Sequence, residues 1–286
     1  MRKKTVCVIG LGYIGLPTAA LLANQGYSVA GVDINQEIVS IINEGKIHIV
    51  EADLGAVVKT TISSGQLKVF NKIQLSDVYM ICVPTPFHKN ANIPQPNIDY
   101  VLSAAESIAP FIKPGDLIIL ESTSPVGTTK KIQELLIGQG VNLTDVHIAY
   151  CPERVLPGKI MTELVENDRI VGGLSLISTK KVVDFYRLFV NGDILETDVK
   201  TAEMCKLAEN SFRDLNIAFA NELSMICDKQ GINVWDLIKL ANKHPRVNIL
   251  QPGTGVGGHC IAVDPWFIIS QDIENTKLIR SAREVN

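Results

Sequence analysis

The segment Gly253-Thr-Gly255-Val-Gly257-Gly258-His259-Cys260-Ile-Ala-Val-Asp264 carries the most reactive arrangement of residue types in the chain. A cysteine closing a glycine-rich loop lies where backbone N–H groups can approach its sulfur and favour the nucleophilic thiolate. Asp264, four residues on, can reach back toward the same sulfur if a helical turn begins there. His259 is adjacent, but neighbouring side chains diverge, so adjacency alone does not make it the base. A second set, Lys206, Asn210 and Arg213, is spaced i, i+4 and i+7 and shares one face of any helix that carries it. That stripe lacks the carboxylates that normally pair a solvated basic face. The opposite face, with Met204, Ala208, Leu215, Phe219 and Ile226, reads as a core stripe. His244-Pro-Arg246-Val-Asn248 adds a third polar group.

The other arrangement suited to chemistry is at the start of the chain. Gly10-Leu-Gly12-Tyr-Ile-Gly15 falls where a β-rich run meets a helix-forming run. There the first glycine permits a tight turn and the second lets the backbone approach a pyrophosphate. The third lets the helix pack close to the strand, and the helix N-terminus faces the anion. Alone the motif is weak. Asp33 at the end of the next apolar run strengthens it, because an acid there accepts from adenosine ribose hydroxyls and repels the 2′-phosphate of NADP. NAD is therefore the expected cofactor. Val83-Pro-Thr85-Pro and Glu121-Ser-Thr123-Ser-Pro-Val-Gly127 also follow apolar runs, so Thr85 and Thr123 belong at the same carboxyl edge of a sheet. A plainer explanation is that both are strand-terminating turns.

These motifs need elements to hold them. Residues 5–9, 28–32, 78–83, 117–120 and 147–150 read as strands, and 17–25, 36–43, 100–108 and 130–136 as helices. Pro84 stops the third strand because it cannot donate to a ladder. Strand–helix alternation predicts an α/β, Rossmann-like doubly wound parallel sheet, covered on both faces, over residues 1–197. From residue 198 to 286 the pattern predicts a central all-helical domain. Residues 201–229 contain no proline or glycine and read as one long helix, and 234–242 as another.

Composition narrows the function classes. Hydrophobic residues make up 46% and charged residues 20%, as in an ordinary globular protein. The net charge of −3 comes without a Lys/Arg block, which argues against nucleic acid or an anionic membrane as partner. The basic start resembles a signal peptide, but its apolar run breaks at Gly10, Gly12 and Gly15, and no stretch approaches a spanning length. A cytoplasmic location is expected. None of the six cysteines has C-x-x-C spacing, so no metal site is expected, and five read as buried small hydrophobes in a reducing compartment.

Taken together, GLGYIGLPTA at Gly10, VPTPF at Val83, ESTSPVGTT at Glu121, CPERVLPG at Cys151, KLAENSFRD at Lys206, HPRVNILQPG at His244 and GVGGHCIAVDPWF at Gly255 closely resemble the UDP-glucose/GDP-mannose dehydrogenase family. The HPRVN and CPERVLPG wording looks like the N-acetylhexosamine branch, and within the family the assembled motifs resemble the members acting on UDP-N-acetyl-D-mannosamine. The resemblance implies oxidation of the C6 alcohol to a carboxylate with two NAD, through a thiohemiacetal and a thioester on Cys260. By the same resemblance Lys206 and Asn210 stabilise oxyanions, Asp264 handles a proton through water, and Glu153 assists thioester hydrolysis. Arg154, Val155, Lys206, Asn210, Arg213, His244, Arg246 and Gly258 would hold the sugar nucleotide. Gly10, Gly12, Tyr13, Ile14, Gly15, Asp33, Thr85 and Thr123 would contact NAD. It further implies a homodimer through the 201–229 helix. Family members continue into a third α/β domain, whereas this chain stops at Ser281-Ala-Arg-Glu-Val-Asn286 in an uncapped helix-like segment, so a fragment of a longer chain is expected. Rival readings are a UDP-N-acetylglucosamine or UDP-glucose 6-dehydrogenase, and a non-catalytic NAD-binding module.

Overall fold

The computed structural model describes residues 4–88, 93–257 and 260–286. The chain divides into two compact units, Met1–Pro86 with Asn97–Glu203, and Phe87–Pro96 with Met204–Asn286.

In the first unit the elements run β1 (Thr5–Ile9), α1 (Gly15–Asn24), β2 (Ser28–Val32), α2 (Gln36–Asn43), α3 (Leu54–Ser63), β3 (Leu67–Phe70) and β4 (Val78–Ile81). They continue with α4 (Asp99–Ile108), β5 (Leu117–Leu120), α5 (Thr128–Gly138), β6 (His147–Tyr150), α6 (Ile160–Glu166), β7 (Arg169–Gly173), α7 (Leu176–Tyr186) and β8 (Ile194–Asp198). Among the described residues these strands form one eight-stranded sheet in the order β3-β2-β1-β4-β5-β6-β7-β8. The order reverses between β1 and β4, so the carboxyl ends of those two strands bound the crevice where such folds take ligands.

The strand sequences explain this sheet. β4 and β5 are buried at every residue, as strands covered on both faces must be, and both are uninterrupted apolar runs. α1 buries nearly all of its residues and is correspondingly rich in Ala and Leu. Asn35 starts α2 and Ser175 starts α7 by accepting from the backbone N–H of Glu37 and Ser178. One pairing departs from the expected parallel arrangement: β6 and β7 run antiparallel, through Ala149 opposite Gly173 and Tyr150 opposite Gly172. Between residues 150 and 199 the sequence alone gives no element, because β7 and β8 are flanked by polar runs that blur the period-2 signal. Beyond them, Val199–Gln230 and Val234–Ala241 follow the two helices expected at 201–229 and 234–242.

The second unit is helical. α8 (Val199–Gln230) begins in the first unit and contributes most of its length to the second, followed by α9 (Val234–Ala241), α10 (Cys260–Ile269) and α11 (Lys277–Val285). α9 starts on Asn233, whose side chain accepts from Trp235 and Asp236. The expected core stripe of α8 is not a core stripe: Met204, Phe219 and Ile226 are exposed, as is Ala208, and Leu215 is only partly buried. In its place α8 buries Leu207, Asn210, Ser211, Asp214, Ala218, Ala220, Asn221 and Cys227. Periodicity finds two faces on a helix but cannot tell which one a single chain covers.

Candidate active site

The glycine loop is built as its spacing requires. Gly10 has φ +88°, and a Cβ there would lie 2.9 Å from the Cys82 carbonyl oxygen at the end of β4. A Cβ on Gly15 would fall 1.8 Å from the Gly10 carbonyl oxygen, whereas a Cβ on Gly12 would meet nothing within 4 Å. The first and third glycines are thus demanded by the fold, and the second faces open space. α1 starts on Ile14 without a side-chain cap, so its first-turn N–H groups are not taken by a capping side chain. Tyr13 is exposed beside them and Ile14 half-buried. Asp33 follows β2; its Oδ2 accepts from Leu11 N and its Oδ1 from Asn35 N, both at 2.9 Å. Each oxygen keeps a second lone pair for a ribose hydroxyl. This open cradle fits a dinucleotide. Replacing Asp33 with alanine should weaken NAD binding about tenfold or more, the worth of a hydrogen bond to a charged group. Wild-type protein should bind NADP far more weakly than NAD in calorimetric titration, and equal affinities would remove Asp33 from the site.

Thr85 and Thr123 come together at the same edge. Thr85 Oγ1 donates to the Thr123 carbonyl at 2.7 Å, and Ser122 Oγ donates to the Val83 carbonyl at 2.7 Å. The loop after Thr123 leads into α5, whose first turn is held by Glu203: this buried carboxylate accepts from Gly127 N at 2.6 Å and from Thr129 N at 2.8 Å.

The loop carrying Glu153, Arg154 and Val155 is fastened from two sides. Glu51 accepts from Gly158 N and Ile160 N, each at 2.8 Å. Glu153, buried, receives Arg169 Nη1 at 2.6 Å on Oε2 and Arg154 N at 2.7 Å on Oε1. Arg154 and Val155 are half-buried, and Val155 packs against the core. Behind Glu153 lies a second carboxylate, Glu121, 3.9 Å from the same Arg169 nitrogen. Tyr186 donates its hydroxyl to Glu121 at 2.6 Å, and Cys82 Sγ lies at 3.2 Å. The Arg169 guanidinium sits 5.3 Å from the centre of the Tyr186 ring. Desolvation raises the Glu121 carboxyl, opposed by Arg169, and pushes the neighbouring Cys151 thiol up to about 12.

Arg169→Met would leave both carboxylates buried without their cation, at a cost of roughly 3 kcal/mol in urea unfolding at neutral pH. Glu121 binds its proton more tightly in the folded chain, so its contribution to stability falls as pH rises from the unfolded carboxyl value to its raised folded value. Removing Arg169 raises it further. The deficit of the variant should therefore shrink as pH is lowered toward 5, and a deficit independent of pH would show that Glu121 does not titrate in this window.

In the second unit, α8 and α10 bring together Asn210, Asp264 and Cys260. Asn210 Nδ2 donates to Asp264 Oδ2 at 2.5 Å, and both side chains are buried. Cys260 is the first residue of α10, so Asp264 lies one turn along the same helix. Cys260 is exposed as a residue, yet its thiol is raised, by desolvation first and then by the Asp264 charge. Lys206 and Arg213 act in the opposite direction. The expected thiolate stabilisation is thus only partly supplied by the chain itself. Lys206 is half-buried and Arg213 exposed, while His244 and Arg246 are exposed in the turn after α9. Gly258 and His259 lie outside the described residues. Cys7, Cys151 and Cys227 are buried as small hydrophobes, but Cys82 and Cys205 are only partly so.

Four residues that hold these motifs had no role in the sequence reading: Glu51, Arg169, Tyr186 and Glu203. Their partners lie far off in sequence, 107 residues for Glu51 and Gly158, so no local spacing pointed to them. Glu121 alone left a trace, as a carboxylate placed directly after the apolar run of β5. Among the described residues no group of His, Cys, Asp and Glu is placed to hold a metal ion, and no helix is long and apolar enough to cross a membrane.

Residues 4–190 match the NAD-binding domain of the UDP-glucose/GDP-mannose dehydrogenase family, and 200–286 match its central domain. The chain is 57% identical, over its full length and 70% of the relative's, to the UDP-N-acetyl-D-mannosamine dehydrogenase of Escherichia coli K12. It is 55% identical, over 99% of its length and 68% of the relative's, to an NDP-N-acetyl-D-galactosaminuronic acid dehydrogenase of Ralstonia nicotianae. The solved UDP-D-ManNAc dehydrogenase of Pyrococcus horikoshii superposes with a TM-score of 0.93 at 44% identity, over 99% of this chain and 68% of that one. NAD is the cofactor of the matched N-terminal domain. With both domain matches in sequence order over nearly its whole length, the chain belongs to the UDP-glucose/GDP-mannose dehydrogenase family.

Proposed function

We propose that the protein oxidises UDP-N-acetyl-D-mannosamine at C6 to the uronate, with Cys260 as nucleophile, as part of surface polysaccharide synthesis. The observation that carries this reading is the cluster of Cys260, Asp264 and Asn210, with Lys206 and Arg213 acting on the same thiol. Residues 1–197 serve as the cofactor-binding domain, with Gly10, Gly12, Tyr13, Ile14, Gly15, Asp33, Thr85 and Thr123 holding NAD. Residues 198–286 form the central domain that carries the nucleophile.

NAD, when bound, accepts one hydride in each of two oxidations. The alcohol proton passes through water to Asp264 as the C6 aldehyde forms. Cys260 Sγ then bonds to C6, and the resulting oxyanion takes a proton to become a thiohemiacetal, which has a hydroxyl and a hydrogen on one carbon like the original alcohol. Lys206 and Asn210 offer donors to that oxyanion. Loss of the second hydride, with the hydroxyl proton passing to water, leaves a thioester. Water, giving one proton to Glu153, adds to the acyl carbon; the C–S bond breaks with its electron pair on Sγ, and the carboxylic acid returns a proton to the sulfur. One alcohol, two NAD and one water thus yield one carboxylate, two NADH and three protons. Arg154, Val155, Arg213, His244, Arg246 and Gly258 are proposed to hold the UDP-sugar, arginine being suited to diphosphate by its planar donor fork.

A homodimer through α8 is part of the same proposal. Phe212, Phe219 and Ile226 recur every seventh residue and are 67%, 54% and 44% exposed, a pattern that a second copy of the helix would cover. A cytoplasmic location follows from the reducing environment a free catalytic thiol requires.

The test is NADH formation with a panel of UDP-sugars: the N-acetylmannosamine, N-acetylglucosamine, N-acetylgalactosamine and glucose derivatives. The mannosamine derivative should give the highest kcat/KM, with two NADH per uronate. Preference for another sugar would replace the substrate assignment, and one NADH per turnover would remove the four-electron mechanism.

A further inference from the structure

Pro265 stands inside α10 and has no N–H with which to close the helical hydrogen bond to the Ile261 carbonyl one turn earlier. That carbonyl is in the first turn of the helix, beside Cys260. It is met instead by Arg283 of α11, whose Nη1 lies 3.4 Å away. The same nitrogen donates to Asp214 Oδ1 at 2.7 Å, in an ion pair with side chains 9% and 0% exposed.

The pair belongs to a chain of polar contacts along one face of α8. Asn286 Nδ2 donates to Asp214 Oδ1 at 2.8 Å and to its carbonyl at 3.0 Å. Asn286 Oδ1 accepts from Asn221 Nδ2 at 2.8 Å, and Asn221 Oδ1 accepts from Gly253 N at 2.9 Å, where the glycine loop begins. Asn210, Asp214 and Asn221 point within roughly 40° of each other at the helical period. Through them α8 holds the cysteine segment at three places: Gly253 directly, Asp264 directly, and Ile261 by way of Arg283. A buried ion pair is often no more stabilising than apolar side chains of the same volume. What this one adds is a donor aimed at the carbonyl that Pro265 cannot meet.

We propose that Arg283 is a positioning residue for Cys260, supplying to the Ile261 carbonyl the donor that Pro265 withholds and so fixing the first turn of α10. This rests on the reading of Cys260 as the nucleophile.

The two residues can be tested against each other, because Pro265→Ala returns the missing N–H to the helix. Arg283→Met should lower kcat about tenfold with KM changed less than about twofold, as expected when a reacting group is misplaced but substrate contacts remain. Arg283→Lys, which keeps the charge beside Asp214 but loses the planar fork, should lie between. In the Pro265→Ala background Arg283→Met should cost about threefold or less, since the carbonyl is then bonded within the helix. An ion pair serving stability alone would give equal losses in both backgrounds, and that result overturns the proposal.

Iodoacetamide labelling of Cys260, read by peptide mass, gives a second measurement. Labelling should quicken in Arg283→Met as the thiol gains water, and slow again when Pro265→Ala is added. Unchanged labelling in Arg283→Met also overturns the proposal. If Arg283→Met does not fold, as judged by loss of helical circular dichroism and of a cooperative urea transition, Arg283→Lys and Arg283→Gln carry the same comparison. Failure of the nucleophile reading would show separately, as undiminished uronate formation by Cys260→Ser.

Discussion

Cys260→Ala is expected to reduce uronate formation by at least about 10⁴-fold, the scale seen when an enzyme loses its nucleophile. Without sulfur the C6 aldehyde has no covalent partner on the enzyme that converts it into a second hydride donor. Consumption of NAD should therefore stop at one equivalent per substrate, with aldehyde trapped by a hydrazine reagent in place of uronate. NAD binding should be unaltered, because the cradle from Gly10 to Asp33 is built entirely within the first unit. The contrasting variant is Cys7→Ala. Cys7 is fully buried in β1, with its thiol pushed up to about 11 by desolvation. Its loss should cost about 1 kcal/mol of stability and leave turnover unchanged. Uronate production by Cys260→Ala at a rate near wild type would end the covalent mechanism.

Gly15→Ala should be the most damaging single methyl group that the first unit can receive. Its Cβ would fall 1.8 Å from the Gly10 carbonyl oxygen, and Cys82 Cβ stands 3.1 Å away on another side. Neither is the movable end of a long side chain. α1 would have to leave β1, and α1 is buried along nearly its whole length. Forced overpacking of this kind is expected to cost roughly 4 kcal/mol or more. NAD affinity should fall together with stability, since moving the helix withdraws its N-terminus from the pyrophosphate. Gly12→Ala separates the two effects. A Cβ there meets nothing within 4 Å in the protein, so stability should be kept while NAD binding, read by calorimetry, falls. A Gly12→Ala protein that binds NAD normally would show that the pyrophosphate does not approach this residue.

Much of this was legible in the linear order of residues. The glycine spacing, Asp33 and the apolar runs of β1, β4 and β5 are local signals, because a strand buried on both faces and a turn that needs a positive φ each restrict residue type at fixed positions. The i, i+4 relation of Cys260 to Asp264, and of Lys206 to Asn210, likewise follows from helix period alone. Between residues 150 and 199 the local signal is weak, and the antiparallel turn of β7 against β6 leaves no trace in it because its register depends on pairing across the sheet.

What only the tertiary structure decided is which face of each element is covered and what stands behind the motifs. On α8 the apolar residues Phe212, Phe219 and Ile226 lie exposed and the polar residues Asn210, Asp214 and Asn221 lie buried, the reverse of what hydrophobicity alone suggests. The reason is energetic: a buried polar side chain is tolerable only when a partner meets it, and the partners, Asp264, Arg283, Asn286 and the N–H of Gly253, are brought from 32 to 72 residues away. Arg169 with Glu121 and Glu153 obeys the same rule in the first unit. The sequence by itself determined the glycine turn, Asp33 and the spacing of Cys260 and Asp264 on which the proposed function draws; folding alone determined the buried charges and amides behind them, because such pairs are chosen by proximity in space and leave no period along the chain.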